Sequence, residues 1–248
     1  MPVKPRYMEI AEELRDAVAG GVYPPGSRLP GENRVMSAYG VQRATARQAL
    51  GKLVEWGIAE ARKGSGTYVR DFRPIIREGI RRLGGETWPA GQSIWSAETE
   101  GRSLAVDQIE VTETADVPAP VRALLLIGGG EAAARRSRRF VLDAKPVLLA
   151  VSWVPASIAG GTRIMERDTG PGGLYARLAE VGRAPVRFRE DLRSAMPGQG
   201  IAERLAMAPG TPVVEIVRTA YDGGGSPVEV NEMTADASAY VFRYEFDA

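Results

Sequence analysis

The sequence predicts two units of different fold class: a mainly α winged helix-turn-helix at the N-terminal end, then an α+β domain built on an antiparallel sheet. Residues 7–56 hold three apolar-periodic segments separated by Gly- and Pro-containing breaks, and a basic, Gly-rich hairpin follows at once. Beyond residue 92, short stretches of period-two alternation bounded by turn residues take over. Charge divides at the same place. Residues 1–70 carry eleven Lys and Arg against seven Asp and Glu, a net +4, whereas residues 71–248 carry 21 against 24, a net −3.

The first helix spans residues 7–19. Met8, Ile10, Ala11, Leu14, Ala17 and Val18 fall at helical spacing, with Glu12, Glu13, Arg15 and Asp16 on the other side. Gly20-Gly21 ends it and Pro24-Pro25-Gly26 turns the chain. A second, short helix begins near Gly31, an adequate N-cap, and stops at Gly40. The third follows within three residues, over about 42–56, which is the spacing of a helix-turn-helix. Strands at 58–62 and 67–70 flank Lys63-Gly64-Ser65-Gly66 as a wing.

Residues 71–92 show no sustained period and read as a linker, so the predicted domains are 1–70, then 93–248 after that linker. In the second domain strands are expected at 105–113, 135–142, 146–154, 186–195, 212–221, 226–234 and 240–246. Helices are expected at 118–126, 173–182 and 199–207, and residues 222–226 form a hairpin turn.

The chain contains neither Cys nor His, which excludes disulfides, thiolate zinc sites, cysteine nucleophiles and the commonest general base. No metal, no cofactor and no catalytic residue is expected. No run approaches the ~18 apolar residues of a membrane span, and the opening MPVKPRYMEI lacks the apolar core of an export signal. A cytoplasmic chain without a membrane partner is the expectation. Arginine outnumbers lysine 28 to four, so an arginine alone is no evidence of a site.

Position along the third helix is better evidence. Ala46, Ala49, Leu50 and Leu53 share an inward face; Arg43, Ala44, Arg47, Gln48 and Gly51 share the opposite one. Arg pairs bidentately with guanine and Gln with adenine, and the N-terminal half of such a helix enters the major groove. Thr45 and the open amides at the helix start suit phosphates. Lys63, with Gly64 and Gly66 keeping the wing narrow, suits the adjacent backbone.

These residues resemble a known family. Tyr7-x-x-Ile10-Ala11-x-x-Leu14, Gly21-x-Tyr23-x-x-Gly26, Leu29-Pro30-x-Glu32 and Tyr39-Gly40-Val41 are similar to the start of the GntR family of regulators. So are Arg43-Ala44-Thr45-x-Arg47-Gln48-Ala49-Leu50 and Gly64-Ser65-Gly66-Thr67-Tyr68-Val69. The resemblance implies DNA contacts from Arg43, Thr45, Arg47, the start of the third helix and Gly64. Gly31, Asn33 and Gln42 depart from the family pattern. Asn33 and Gln42 keep hydrogen-bonding side chains and are expected to give this protein its own operator preference.

The second domain resembles the UTRA effector domain of the HutC branch, which implies a chorismate-lyase-like fold. The resemblance rests on Trp95-Ser96, Arg138 to Pro155 with Asp143-x-x-Pro146, Gly173-Leu174-Tyr175, Gly210-Thr211-Pro212-Val213, Arg218-x-x-Tyr221-Asp222 and Pro227-Val228-Glu229. It implies effector contacts at Trp95, Ser96, Arg138, Tyr175 and Glu229. Phe140, Ala150 and Gly173 depart from the sugar-phosphate binders by losing a cation, a carboxylate and a hydroxyl, which together point to a less polar ligand, and Ala235 stands where those binders often have an aromatic residue. The expected function is a ligand-responsive regulator, most simply a repressor, binding a near-palindromic double-stranded operator as a homodimer. The competing readings are a chorismate-lyase-type enzyme and a plasmid-transfer repressor with no metabolite effector.

Overall fold

The computed structural model of the chain describes residues 4–71, 74–79, 99, 101–207 and 210–246. The chain divides into two compact units, residues 1–73 with 207–211, and residues 74–206 with 212–248.

In the first unit, helices α1 (Arg6–Ala19), α2 (Glu32–Tyr39) and α3 (Arg43–Glu55) precede the two-stranded antiparallel wing, β1 (Ala59–Arg62) and β2 (Gly66–Val69). Ile10, Ala11 and Leu14 of α1 pack with Val35 of α2 and with Ala46, Ala49, Leu50 and Leu53 of α3, and Ala59 and Val69 close the core from the wing. The turn between α2 and α3 is short because Gly40 takes the left-handed conformation (φ 63°) and its N–H returns to the Met36 carbonyl. Burial of every third or fourth residue leaves the far side of α3 in solvent.

The second unit is a six-stranded antiparallel sheet in the order β4-β5-β6-β9-β8-β7. Its strands are β4 (Leu104–Thr114), β5 (Ala133–Leu142), β6 (Lys145–Pro155), β7 (Pro185–Ala195), β8 (Val213–Asp222) and β9 (Pro227–Asp236). Helix α4 (Ala119–Leu125) packs with Ala133, Trp153 and Val230. Short helix α5 (Ala156–Ala159) and helix α6 (Gly173–Glu180) pack instead with Ala134, Val154 and Ala220. Neighbouring residues Ala133 and Ala134, or Trp153 and Val154, point to opposite sides of a strand, so the two helical layers cover opposite faces. Helix α7 (Gln199–Arg204) links β7 to β8, and a hairpin turn over 222–226 joins β8 to β9. No helix among the described residues is long and apolar enough to cross a membrane.

Two expectations need correction. The stretch 71–92 is not linker throughout: Ile75–Glu78 forms strand β3, pairing in parallel with β10 (Tyr240–Arg243) inside the second unit. Ile75 and Arg77 are buried there, so this segment is held by packing and backbone hydrogen bonds. The final strand stops at Arg243 rather than Phe246, and Tyr244 and Phe246 are exposed.

Candidate functional site

Two surfaces carry convergent polar groups. The first is the outward side of α3, where Arg43, Arg47 and Gln48 are exposed and Thr45 is half-buried. Gln42 occupies the N-cap position, but no side chain caps the helix there. The amides of its first turn are therefore left for an external acceptor.

Glu32, at the start of α2, organises the two arginines. Arg47 Nε donates to Glu32 Oε1 at 2.8 Å, and Arg43 Nε lies 3.7 Å from Glu32 Oε2. Arg43 Nη2 also donates to Asn33 Oδ1 at 3.4 Å. The hydrogen bond from Arg47, with the charges of both arginines, holds the Glu32 carboxyl below the usual carboxylate range, and the same bond raises Arg47. Arg43 and Arg47 nevertheless keep side-chain exposures of 63% and 71%, which leaves their guanidinium edges open to a nucleic acid. The structure thus brings Asn33, Arg43 and Arg47 together through a residue that sequence spacing did not single out, because Glu32 and Arg47 belong to different helices.

This arrangement makes a prediction about Glu32. Replacing it with Gln should free both arginines and raise affinity for random DNA by about two- to fivefold, the scale of an exposed ion pair. The ratio of operator to random affinity should fall. Parallel anisotropy titrations on the two duplexes measure this, and an unchanged ratio would show that Glu32 does not organise the readers.

The wing is stiffened locally. Arg62 stacks over the Tyr68 ring at 4.3 Å, and Ser65 Oγ and Tyr68 Oη share a hydrogen bond of 2.7 Å. Lys63 and Gly64 are exposed at the tip. Gly66 has φ 120°, and a Cβ there would lie 3.0 Å from Arg28 Nε. Arg28 thus lies against the wing base and adds a cation that the sequence pattern had not assigned.

The second surface is a cavity of about 570 Å³ in the second unit, within the size range of small-molecule sites. It lies on the sheet face beneath α6 and the loop 167–173. Strand register runs a polar row along its floor and past its edge: Arg136 opposes Ser152, Ser152 opposes Asn231, Asn231 opposes Arg218, and Arg218 opposes Glu190, with Arg136, Asn231 and Arg218 lining the cavity itself. A polar row therefore crosses five strands on one face, since directly opposed residues point the same way.

Three of the five expected effector residues meet in this cavity, namely Arg138, Tyr175 and Glu229. Tyr175 Oη donates to Glu229 Oε2 at 2.8 Å, and Arg138 Nη2 donates to Ser152 Oγ at 2.5 Å. Trp95 and Ser96 lie outside the described residues. Burial pushes the Arg138 guanidinium down; Glu229 opposes that shift and the nearby Arg218 adds to it. Among the described residues, the buried Arg138 Nε donor and Asn231 Oδ1 acceptor have no hydrogen-bond partner. Unmet polar groups in a cavity wall are what a polar ligand satisfies.

Arg136 has a different duty. It donates to the carbonyls of Ile164, Glu166 (2.5 Å) and Arg167 (3.2 Å), which ties down the start of the loop. Burial pulls its guanidinium down to about 10. Val106, Ile109, Phe140, Leu148, Ala150 and Met233 supply an apolar wall. Three of the four departures from the sugar-phosphate pattern, Phe140, Ala150 and Gly173, do line the cavity. Among the described residues no cluster of carboxylates is placed to hold a metal ion.

A winged helix-turn-helix with outward arginines, joined to a unit enclosing a polar cavity, defines a DNA-binding regulator with a ligand-binding domain. Residues 6–69 match the model of bacterial regulatory proteins of the gntR family, and residues 99–241 match the UTRA domain. The chain belongs to the gntR family of bacterial regulatory proteins, among those that carry a UTRA domain.

Its relatives include the mannosyl-D-glycerate transport/metabolism system repressor MngR of Escherichia coli, 26% identical over 96% of this chain and 95% of the relative. The transcriptional repressor NagR of Bacillus subtilis is 24% identical over 98% and 95%. The crystal structure of a GntR-family transcriptional regulator superposes with a TM-score of 0.62 at 26% identity, covering 99% of this chain and 98% of the other. PhnF of Mycobacterium smegmatis shares the fold, with a TM-score of 0.61 at 22% identity over 96% and 99%. The family and these relatives are transcriptional regulators, not enzymes.

Proposed function

We propose that the protein is a cytoplasmic repressor that binds a near-palindromic operator as a homodimer and changes its DNA affinity when a small acid occupies the UTRA cavity. The observation that carries the DNA reading is the division of α3 into a buried Ala46–Ala49–Leu50–Leu53 face and an exposed Arg43–Arg47–Gln48 face beside a basic wing. Asn33 and Gln42 flank those readers, Thr45 and the open first-turn amides take phosphates, and Lys63, Gly64 and Gly66 present the wing to the adjacent backbone. One winged helix reads too few bases for selectivity, which is why two half-sites are required. The repressor names of MngR and NagR support the sign of regulation.

Footprinting on the DNA upstream of the protein's own gene tests this reading. Protection of two half-sites about 10 base pairs apart, or a multiple of that, is the expected result. Protection of a single, unrepeated site would exclude the dimer. Lys63→Ala should lower the salt dependence of binding by a slope of about 1 if the wing meets one phosphate, and an unaltered slope would remove Lys63 from the interface.

Chemistry defines the effector class. Arg138 and Arg218 favour a carboxylate or phosphate head, and Glu229 with Asn231 Oδ1 favours an O–H or N–H donor. The apolar wall favours a hydrocarbon body over a second charged group. A small hydroxy or amino acid with an apolar portion fits better than a phosphorylated sugar. Calorimetric titration with glucosamine 6-phosphate should show no binding in the micromolar range, whereas micromolar affinity would refute this class.

A further inference from the structure

The polar row across the cavity floor ends at Glu190, and Glu190 is not a cavity residue. Its side chain is 8% exposed and accepts from Arg77 Nη2, whose own side chain is 2% exposed. The same oxygen, Glu190 Oε1, lies 3.9 Å from Arg218 Nη1 in the cavity wall. Arg77 also approaches the cavity through a second residue, with Nη1 3.8 Å from the sulfur of Met233. The Phe242 ring of β10 sits 5.7 Å from its guanidinium.

Arg77 belongs to β3, the first strand after the DNA-binding unit, eight residues beyond Val69, where the wing ends. We propose that Arg77, Glu190 and Arg218 form a relay that couples occupancy of the cavity to the hold on β3, and through the continuous chain to the winged helix-turn-helix. This rests on the cavity being the effector site. Arg77 and Glu190 are then positioning residues that never touch the ligand.

The physical basis is competition for one cation. An anion in the cavity attracts Arg218 away from Glu190 Oε1, and the carboxylate is left to Arg77. A buried carboxylate between two guanidinium groups responds strongly to the displacement of either, since the surrounding protein screens it little. Ligand binding therefore alters the Arg77 anchor of a strand held also by the burial of Ile75 and by a short parallel pairing with β10. Linkage requires the reverse as well: a change at Arg77 must alter affinity at the cavity. Cross-strand neighbours transmit such a change because the sheet register holds their side chains on one face.

The test uses the full chain without any ligand, so an error in the effector class leaves it intact. Hydrogen exchange of the β3 amides and operator affinity are measured for Arg218→Met, Glu190→Gln and the double variant. Arg218→Met, which leaves Glu190 to Arg77, should slow β3 exchange, Glu190→Gln should accelerate it, and each should shift operator affinity by at least about fivefold, the lower end of allosteric couplings. The double variant should shift no further than Glu190→Gln alone, because both act through one contact. Arg77→Lys, which keeps the cation, should restore most of the protection lost in Arg77→Met. Arg193→Met, on the same strand as Glu190 but paired with Glu215 outside the cavity, should leave β3 exchange unaltered.

Additive effects of Arg218→Met and Glu190→Gln would overturn the relay, as would a change of β3 exchange in Arg193→Met equal to that in Arg218→Met. Should Glu190→Gln fail to fold, the Arg218→Met and Arg193→Met comparison decides alone. In the same protein, sodium benzoate serves as the anionic probe: protection of β3 that changes in the wild type but not in Arg77→Met or Glu190→Gln is the result expected. An identical change in all three would also overturn the relay.

Discussion

Arg47→Ala should weaken operator binding by about ten- to a hundredfold, since a bidentate base contact discriminates by roughly 1–3 kcal/mol. Affinity for random duplex should change little. Arg47 sits 71% exposed at the middle of the outward face of α3, and Glu32 fixes the direction of its guanidinium. The change removes a long side chain that contributes nothing to the Ile10–Leu53 core, so the unit should melt as the wild type does. Anisotropy titrations on operator and scrambled duplexes at one salt concentration separate the two affinities. Wild-type operator affinity in this variant would remove α3 from the major groove and leave the wing as the principal contact.

Arg138→Met should abolish release from the operator by an acidic effector while leaving ligand-free operator affinity within about threefold of the wild type. Truncating one partner of a desolvated charge pair costs about 2–5 kcal/mol, which corresponds to a loss of thirtyfold or more in ligand affinity. Met retains much of the apolar stem, so the wall formed by Phe140, Ala150 and Met233 keeps its shape. The measurement is the concentration of carboxylic acid that half-dissociates the complex, using an acid identified by its effect on the wild type. An unaltered half-dissociation concentration would place the effector elsewhere.

Much of the DNA-binding unit was legible in the sequence because its contacts are local. The periodicity of Ile10, Leu14, Val35, Leu50 and Leu53 announces the three helices, and Gly40 and the 63–66 hairpin announce their breaks. The strands of the second unit were also legible, through alternation. What they assemble was not. Whether Asn231 faces Arg218 or its neighbour depends on a register fixed by pairing across the sheet, and a shift of one residue would turn the whole row to the other face.

The Glu190 contact was hidden for the same reason. Strand β3 escaped because four residues, Ile75-Ile76-Arg77-Glu78, offer too short a run for a period, and their partner β10 is remote in sequence. Glu32 was legible as a family residue but not as the clamp on Arg47, since that contact joins two helices fifteen residues apart. The short helix Ala156–Ala159 follows Pro155 in a stretch whose apolar residues equally suit the end of a strand.

The parallel pairing of β3 with β10 has a consequence for biosynthesis. The winged helix-turn-helix rests almost wholly on contacts between near neighbours, so it can form soon after it leaves the ribosome. Strand β3 follows it directly, yet its partner is β10, the last strand among the described residues. During translation the nascent chain therefore carries a finished DNA-binding module followed by an unpaired Ile75-Ile76 edge. Such an edge invites contact with chaperones or other nascent chains until Tyr240–Arg243 emerges, and truncated translation products should be the aggregation-prone species.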